Sequence, residues 1–293
     1  MGIKTCAICF LAAALIGGGA YGVHRYLASS AESEQYVTDL SSSFNADKET
    51  AEALALYQKD SAPRAKILKP SGGGKAMYLY FCGLPDRPSI EKITDCLEEE
   101  NWKAVFFAEG QNALDEEEGM KVLQKRGQVM GNYTWLGRPK FETMGEEAAL
   151  SSICRTQKAI HLMEGSYPLY FKAPNTKYTD RLLKELGAAG ISYAVESTLT
   201  IRRGEIKSLA DAEALVKKIK PGSFIAFEVN RSLDIKTHEA GDYDEKPAID
   251  KKPTVKDEEY INQPKTAALA EEVEWLLHAL KAAGYEVKSL PKE

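Results

Sequence analysis

The sequence predicts an α/β domain of parallel βα units that curl toward a barrel, preceded by a membrane-spanning segment and a stalk. Three observations predict this. Apolar strand-like runs alternate with helical patterns from residue 75 onward, which is the signature of parallel βα units. Six or seven such units within about 215 residues suit barrel-like closure better than two separate domains, with an open doubly wound sheet as the alternative. Residues 5–23 form nineteen consecutive positions without a formal charge, close to the ~20 helical residues that cross a hydrocarbon core.

The uncharged run is followed by His24 and Arg25 and preceded by Lys4; this weak bias puts the N-terminus in the cytoplasm and the remainder outside. A cleaved signal sequence is the rival, but its apolar stretch is normally shorter. The expected organisation is therefore 1–27 anchor (or signal sequence), 28–74 stalk and 75–293 globular domain. The stalk is Ser-, Ala- and charge-rich and ends in Ser71-Gly72-Gly73-Gly74. A short helix is expected within it, over 47–59.

Met77–Phe81 reads as the first buried strand. A helix over 89–100, a strand over 104–107, a helix over 114–126 and a strand from 128 follow. Next come a long helix over 146–164, a strand over 167–171, and a helix over 179–186 for which Thr179 is the N-cap. A strand over 191–195, a helix over 211–219 and a strand over 224–227 complete the repeats. In the last helix, about 266–283, Val273, Leu276, Leu277 and Leu280 recur at helical spacing and mark a buried face. Residues 232–264 break the rhythm. Nine acids, five lysines and three prolines leave almost no apolar pattern there, and this stretch reads as a solvated polar insertion.

Composition excludes several classes. A chain with 44% hydrophobic and 28% charged residues is globular. A net charge of -5 provides no basic footprint for nucleic acid. No glycine-rich nucleotide loop follows a strand. Of five cysteines, Cys6 and Cys9 lie in the uncharged run. Cys82, Cys96 and Cys154 are too few and too widely spaced for a disulfide framework or a zinc knuckle.

The ordered segments carry a resemblance. Lys103–Phe107 looks like a K-A-T-F-F strand, Gly131–Trp135 like a G-N-H-T segment, Thr156–Ile160 like T-Q-K-A-I, and Pro221–Ile225 like P-G-S-I-I. Together with the final helix and strand over 266–290, this order resembles the polysaccharide deacetylases, the NodB-homology carbohydrate esterases. The resemblance covers roughly residues 75–290 and implies a distorted (β/α) barrel with its site at the C-terminal ends of the strands. It also implies a divalent metal held by one Asp and two His, with a second Asp as base and a third His as acid.

Position by position, that chemistry is missing. The F-D-D-G-P motif reads Phe81-Cys82-Gly83-Leu84-Pro85, so Cys82 stands at the base position and Gly83 at the ligand position. The two metal histidines are replaced by Tyr133 and Gly137. R-P-P-Y reads Lys172-Ala173-Pro174-Asn175, and the acid-histidine position falls on Glu228. Cys82, Gly83, Tyr133, Gly137, Lys172, Asn175 and Glu228 are thus the residues of a degenerate pocket, with no catalytic residue, no metal ligand and no cofactor assigned. The four histidines, His24, His161, His238 and His278, are far in sequence from the strand ends.

A thiolate at Cys82, lowered by the Lys172 cation, would need a base that only Glu228 offers. Lys172 and Glu228 are alternatively an ion pair filling the old metal cavity. The expected function is an anchored, exported, catalytically inactive domain that binds cell-wall glycan or acts on an envelope partner protein. Tyr133, Trp135 and Asn175 are its sugar-facing candidates. The alternatives are an active hydrolase of altered, metal-free chemistry and a purely structural partner that uses the 232–264 insertion.

Overall fold

The structure is a computed structural model and describes residues 46–69, 74–229 and 268–291. The expected anchor and the polar insertion lie outside the described residues. Among the described residues no helix is long and apolar enough to cross a membrane.

The chain runs α1 (Asp47–Tyr57), β1 (Lys66–Leu68), β2 (Ala76–Cys82), α2 (Arg87–Glu99), β3 (Val105–Ala108), α3 (Gly110–Asp115) and α4 (Glu117–Lys125). It continues with β4 (Val129–Asn132), a 3-10 turn (Phe141–Thr143), α5 (Glu146–Glu164), β5 (Tyr170–Phe171), α6 (Asp180–Ala188) and β6 (Tyr193–Val195). β7 (Leu199–Arg202), α7 (Leu209–Val216), β8 (Phe224–Glu228), α8 (Leu269–Ala282) and β9 (Glu286–Lys288) complete it. The helix expected over 114–126 is split at Glu116, which leaves helical geometry at φ -111° and ψ 46°. β7 has no counterpart among the expected strands.

The strand order is β1-β6-β5-β4-β3-β2-β8-β7, with β9 on the first half of β2. Every pairing is parallel. The sheet is a curled half-barrel, not a closed one, because of how β6 leads into β7. Only residues 196–198 separate them, far short of the dozen or so residues that a parallel crossover needs. β7 therefore pairs with β8 instead. The short link spans the gap: Glu196 N–H donates to Leu68 O and Thr198 N–H to Phe224 O.

Alternation along β2 sorts its side chains between two cores. Met77, Leu79 and Phe81 pack outward with Ile90, Ile93 and Leu97 of α2 and with Val273, Leu276 and Leu280 of α8. Tyr80 and Cys82 face inward, in a cluster built from strands: Leu68, Val105, Phe107, Tyr170, Tyr193, Val195 and Ala226. The concave face thus packs against itself. Tyr80 meets Phe107 edge-on at 5.5 Å, and Tyr170 stacks on Tyr193 at 5.6 Å. A sheet buried on both faces explains why its strands read as continuous apolar runs.

The described part of the expected stalk belongs to the folded domain, which corrects the 28–74 boundary. Ala53 of α1 packs with Leu150 and Cys154 of α5, and Glu49 pairs with Lys158 at 3.0 Å. β1 pairs in register with β6, Lys66 to Tyr193 through Leu68 to Val195. Of the five buried apolar residues in this stretch, four are alanines (Ala46, Ala53, Ala62, Ala65) and the fifth is Leu68. Close backbone approach, not bulk, holds the segment down.

At the helix ends, local chemistry agrees with the reading. Thr179 caps α6 by accepting from Leu182 N–H at 3.2 Å. Asp86 caps α2 by accepting from Ser89 N–H at 2.8 Å, which starts that helix two residues earlier than expected. On α6 the Glu185 side chain is fully buried, 2.7 Å from Arg181 Nη1. Burial pushes its carboxyl up to about 7 against the pull of Arg181, and burial does the same at Glu164, also to about 7.

The folded chain holds these protons more tightly than the unfolded chain, so their stabilisation is complete below the ordinary value of 4.5. It is lost as pH rises through about 7. Thermal melts between pH 5 and 8 are expected to show stability falling with pH by on the order of 1 kcal/mol. Glu185→Gln flattens that slope; a variant with the wild-type slope contradicts the assignment.

Candidate functional site

The mouth of the half-barrel lies over the C-terminal ends of β2, β3, β4, β5 and β8. Cys82 ends β2, opposite Phe107 of β3 and Glu228 of β8 in register. It is 1% exposed. Tyr133 follows β4, donates its N–H to Ala108 O, and shares a buried cluster with Cys82. Lys172 follows β5, donates from Nζ to Val195 O at 3.3 Å, and lies 5.6 Å from the Tyr80 ring centroid.

The loop after β2 turns at Gly83, φ 96°, whose N–H donates to Phe107 O. Gly137 also sits at positive φ, 65°; a Cβ there would be 3.3 Å from Glu109 Cγ and 3.6 Å from Tyr133. These contacts bring Cys82, Gly83, Tyr133, Gly137, Lys172 and Glu228 together. Asn175 stands apart, exposed in the turn after β5 at φ 44°.

The loop bearing Tyr133 is held by a buried amide relay. Asn132 donates from Nδ2 to Ile153 O at 3.0 Å and to Gln157 Oε1 at 3.2 Å, while its Oδ1 accepts from Thr134 N–H at 2.9 Å. Gln157 in turn donates to Pro168 O at 3.0 Å. This is the physical content of the G-N-x-T and T-Q-K-A-I segments: two side-chain amides tie α5 to both β4 and the approach to β5. Unmade hydrogen bonds at such buried groups are expensive.

The structure changes three readings at the mouth. Lys172 and Glu228 make no ion pair; Glu228 pairs with Arg202 of β7 at 3.5 Å, because β7 lays Arg202 directly opposite Glu228. Tyr133 and Trp135 are 6% and 7% exposed, so neither offers an open face to a sugar ring. Trp135 instead carries the Arg155 guanidinium 3.9 Å from its ring centroid. Burial pushes the Cys82 thiol up to about 12, despite the opposing Lys172 cation, and Glu228 and Glu109 add to the rise. A thiolate nucleophile therefore has no basis here.

Sequence reading missed three mouth residues. Glu109 follows β3, is 6% exposed, and accepts the Leu84 N–H at 2.9 Å. Tyr178 donates its hydroxyl to Val195 O at 2.9 Å. Arg202 holds Glu228 as described. Glu109 was legible in principle as the first charge after an apolar strand, whereas Arg202 lies on a strand without a clear apolar run.

A divalent cation does not fit these residues. Gly83 supplies no ligand, and Lys172 places a cation at the mouth. Burial, with Cys82 and the acids around it, holds the Tyr133 phenol well above its ordinary range, so it stays a neutral hydroxyl. Among the described residues no cluster of three or more His, Cys, Asp or Glu is placed to hold a metal ion. His161 is engaged in stacking on Tyr167 at 4.1 Å.

The curled parallel half-barrel is a fold that this chain shares with solved family 4 carbohydrate esterases. Residues 69–194, under half of this chain, match the family model described as polysaccharide deacetylase. A peptidoglycan-N-acetylglucosamine deacetylase of Bacillus cereus is 29% identical over 106 residues, 36% of this chain and 38% of that protein. The match therefore spans well under half of that relative's length.

Among solved structures, PdaA of Bacillus subtilis, a family 4 carbohydrate esterase, has a TM-score of 0.56 at 17% identity, covering 82% of this chain and 86% of its own. A family 4 pseudoenzyme from Bacillus anthracis has a TM-score of 0.56 at 16% identity, covering 79% of this chain and 69% of its own. Identities this low carry the fold alone.

Proposed function

We propose that this chain is a polysaccharide deacetylase-like domain that has exchanged hydrolysis for binding, and that it works at the cell envelope on glycan or on a partner enzyme. One observation carries the reading. The positions that resemble the family's metal and base sites hold Cys82, Gly83, Tyr133 and Gly137, and the mouth between them is packed with buried side chains. Neither a Lewis acid nor a base of suitable pKa can be assembled from that set. The pseudoenzyme among the structural neighbours supports the reading by analogy, and the deacetylase relatives' peptidoglycan names support glycan as the ligand class.

Export behind an N-terminal anchor belongs to the same proposal and rests on the uncharged run 5–23. The test is metal analysis of the purified full chain, together with acetate release from N-acetylglucosamine oligomers. The expected result is metal far below one equivalent and no turnover above the reagent blank. Stoichiometric zinc with acetate release overturns the proposal and restores the active-hydrolase reading.

A further inference from the structure

A second concavity lies at the opposite end of the sheet, where β4 and β5 begin. It has a volume of about 380 Å³ and is lined by Gln124, Gln128, Glu164, Ser166, Tyr167 and Leu169, among others. Clefts of roughly 300–1,000 Å³ are the size that takes small ligands. Its rim is apolar and open: Tyr167 is 52% and Leu169 36% exposed. The Tyr167 ring is braced from behind by His161, stacked nearly parallel at 6°, so one aromatic face is presented on a rigid support.

The acid in this cleft is unusual. Among the described residues the Glu164 side chain has no ion-pair or hydrogen-bond partner, and burial is the sole cause of its raised pKa, with no nearby charge opposing it. Its carboxyl oxygens are not among the sealed, partnerless atoms of the interior, so a ligand can reach them. A half-buried carboxyl with no cation, set beside an aromatic platform and amide side chains, is complementary to a small ring that carries a positive charge.

We propose that this cleft binds an amino sugar of de-N-acetylated glycan, the ring lying on Tyr167 and the ammonium pairing with Glu164. The proposal rests on the glycan reading above and gives it a substrate class: the domain reads the product of N-deacetylation and does not make it. An acetylated sugar offers no charge to Glu164 and leaves that carboxyl desolvated and unpaired.

The test is calorimetric titration of the full chain with two probes of equal length, a glucosamine tetramer and an N-acetylglucosamine tetramer. Wild type, Glu164→Gln and Tyr167→Ala are compared. The expected result is at least ~10-fold tighter binding of the glucosamine tetramer, a preference worth ~1.4 kcal/mol. It is abolished by Glu164→Gln, and Tyr167→Ala weakens both probes. Melting temperatures at or above wild type show that the Gln variant is folded.

A preference that survives Glu164→Gln reflects the chain's net charge of -5 and overturns the proposal. Equal affinity for both tetramers, untouched by Glu164→Gln, overturns it while leaving the glycan reading intact. No binding of either tetramer overturns both.

Discussion

Alkylation of the native chain at pH 8 is expected to modify Cys96 long before Cys82 or Cys154. Cys96 is partly exposed, whereas the other two are buried. Burial raises the Cys82 and Cys154 thiols from 9.0 to about 12, which lowers their thiolate fraction about a thousandfold. Lack of access slows the reaction further. Peptide mapping after a timed pulse of iodoacetamide gives the order directly, and the same pulse in guanidinium is expected to label all three alike. If Cys82 reacts as fast as Cys96 in the native chain, the mouth is open and its thiol available. The packed-mouth argument then fails at its centre.

Gly187→Ala is expected to destabilise the domain by about 2–3 kcal/mol, the upper part of the range for overpacking. A Cβ at Gly187 on α6 would lie 2.2 Å from the Pro63 carbonyl oxygen and 2.8 Å from Arg64 Cα. Both are backbone atoms, so no rotamer change relieves the overlap. The segment is pinned immediately after the clash: Ala65 N–H donates to Leu183 O at 2.8 Å, and Lys66 N–H to Ser192 O at 2.9 Å. The loss should appear as a fall of roughly 4–12 °C in Tm. Gly145→Ala is the control, because a Cβ added there would meet no atom within 4 Å and its φ is -65°. If Gly187→Ala melts with wild type, residues 63–66 do not dock on α6, and a stalk that runs to residue 74 is reinstated.

Legibility followed burial. Where residues are large and apolar, as in Met77–Phe81 or Val273–Leu280, periodicity gives element type and nearly the right bounds. The 146–164 helix is legible to the residue, because acids at its start and Gly165 past its end (φ 75°) mark both termini. Where the contact is a close approach of small residues, as at Ala53 and Ala65, no hydrophobic pattern exists to read.

β5 has two residues where five are expected. Pro168 has no N–H to give a ladder, and Tyr167 and Leu169 turn to solvent. The mouth is legible as a list of exchanged residues but not as an arrangement. The pairing of Glu228 with Arg202 depends on β7, whose mixed Leu199–Arg202 sequence carries no strand signal. Glu109 enters through a turn geometry that sequence spacing does not encode.

The left-handed backbone at Gly83 and Gly137 bears on what this mouth can be made to hold. Residues with a side chain are penalised by ~1–2 kcal/mol in that conformation. Introducing an aspartate at one position or a histidine at the other would be uphill on its own, before any compensating ion could be held. A single substitution at either glycine therefore strains its turn without completing a set of metal-binding side chains, so building chemistry into this mouth calls for several changes made together.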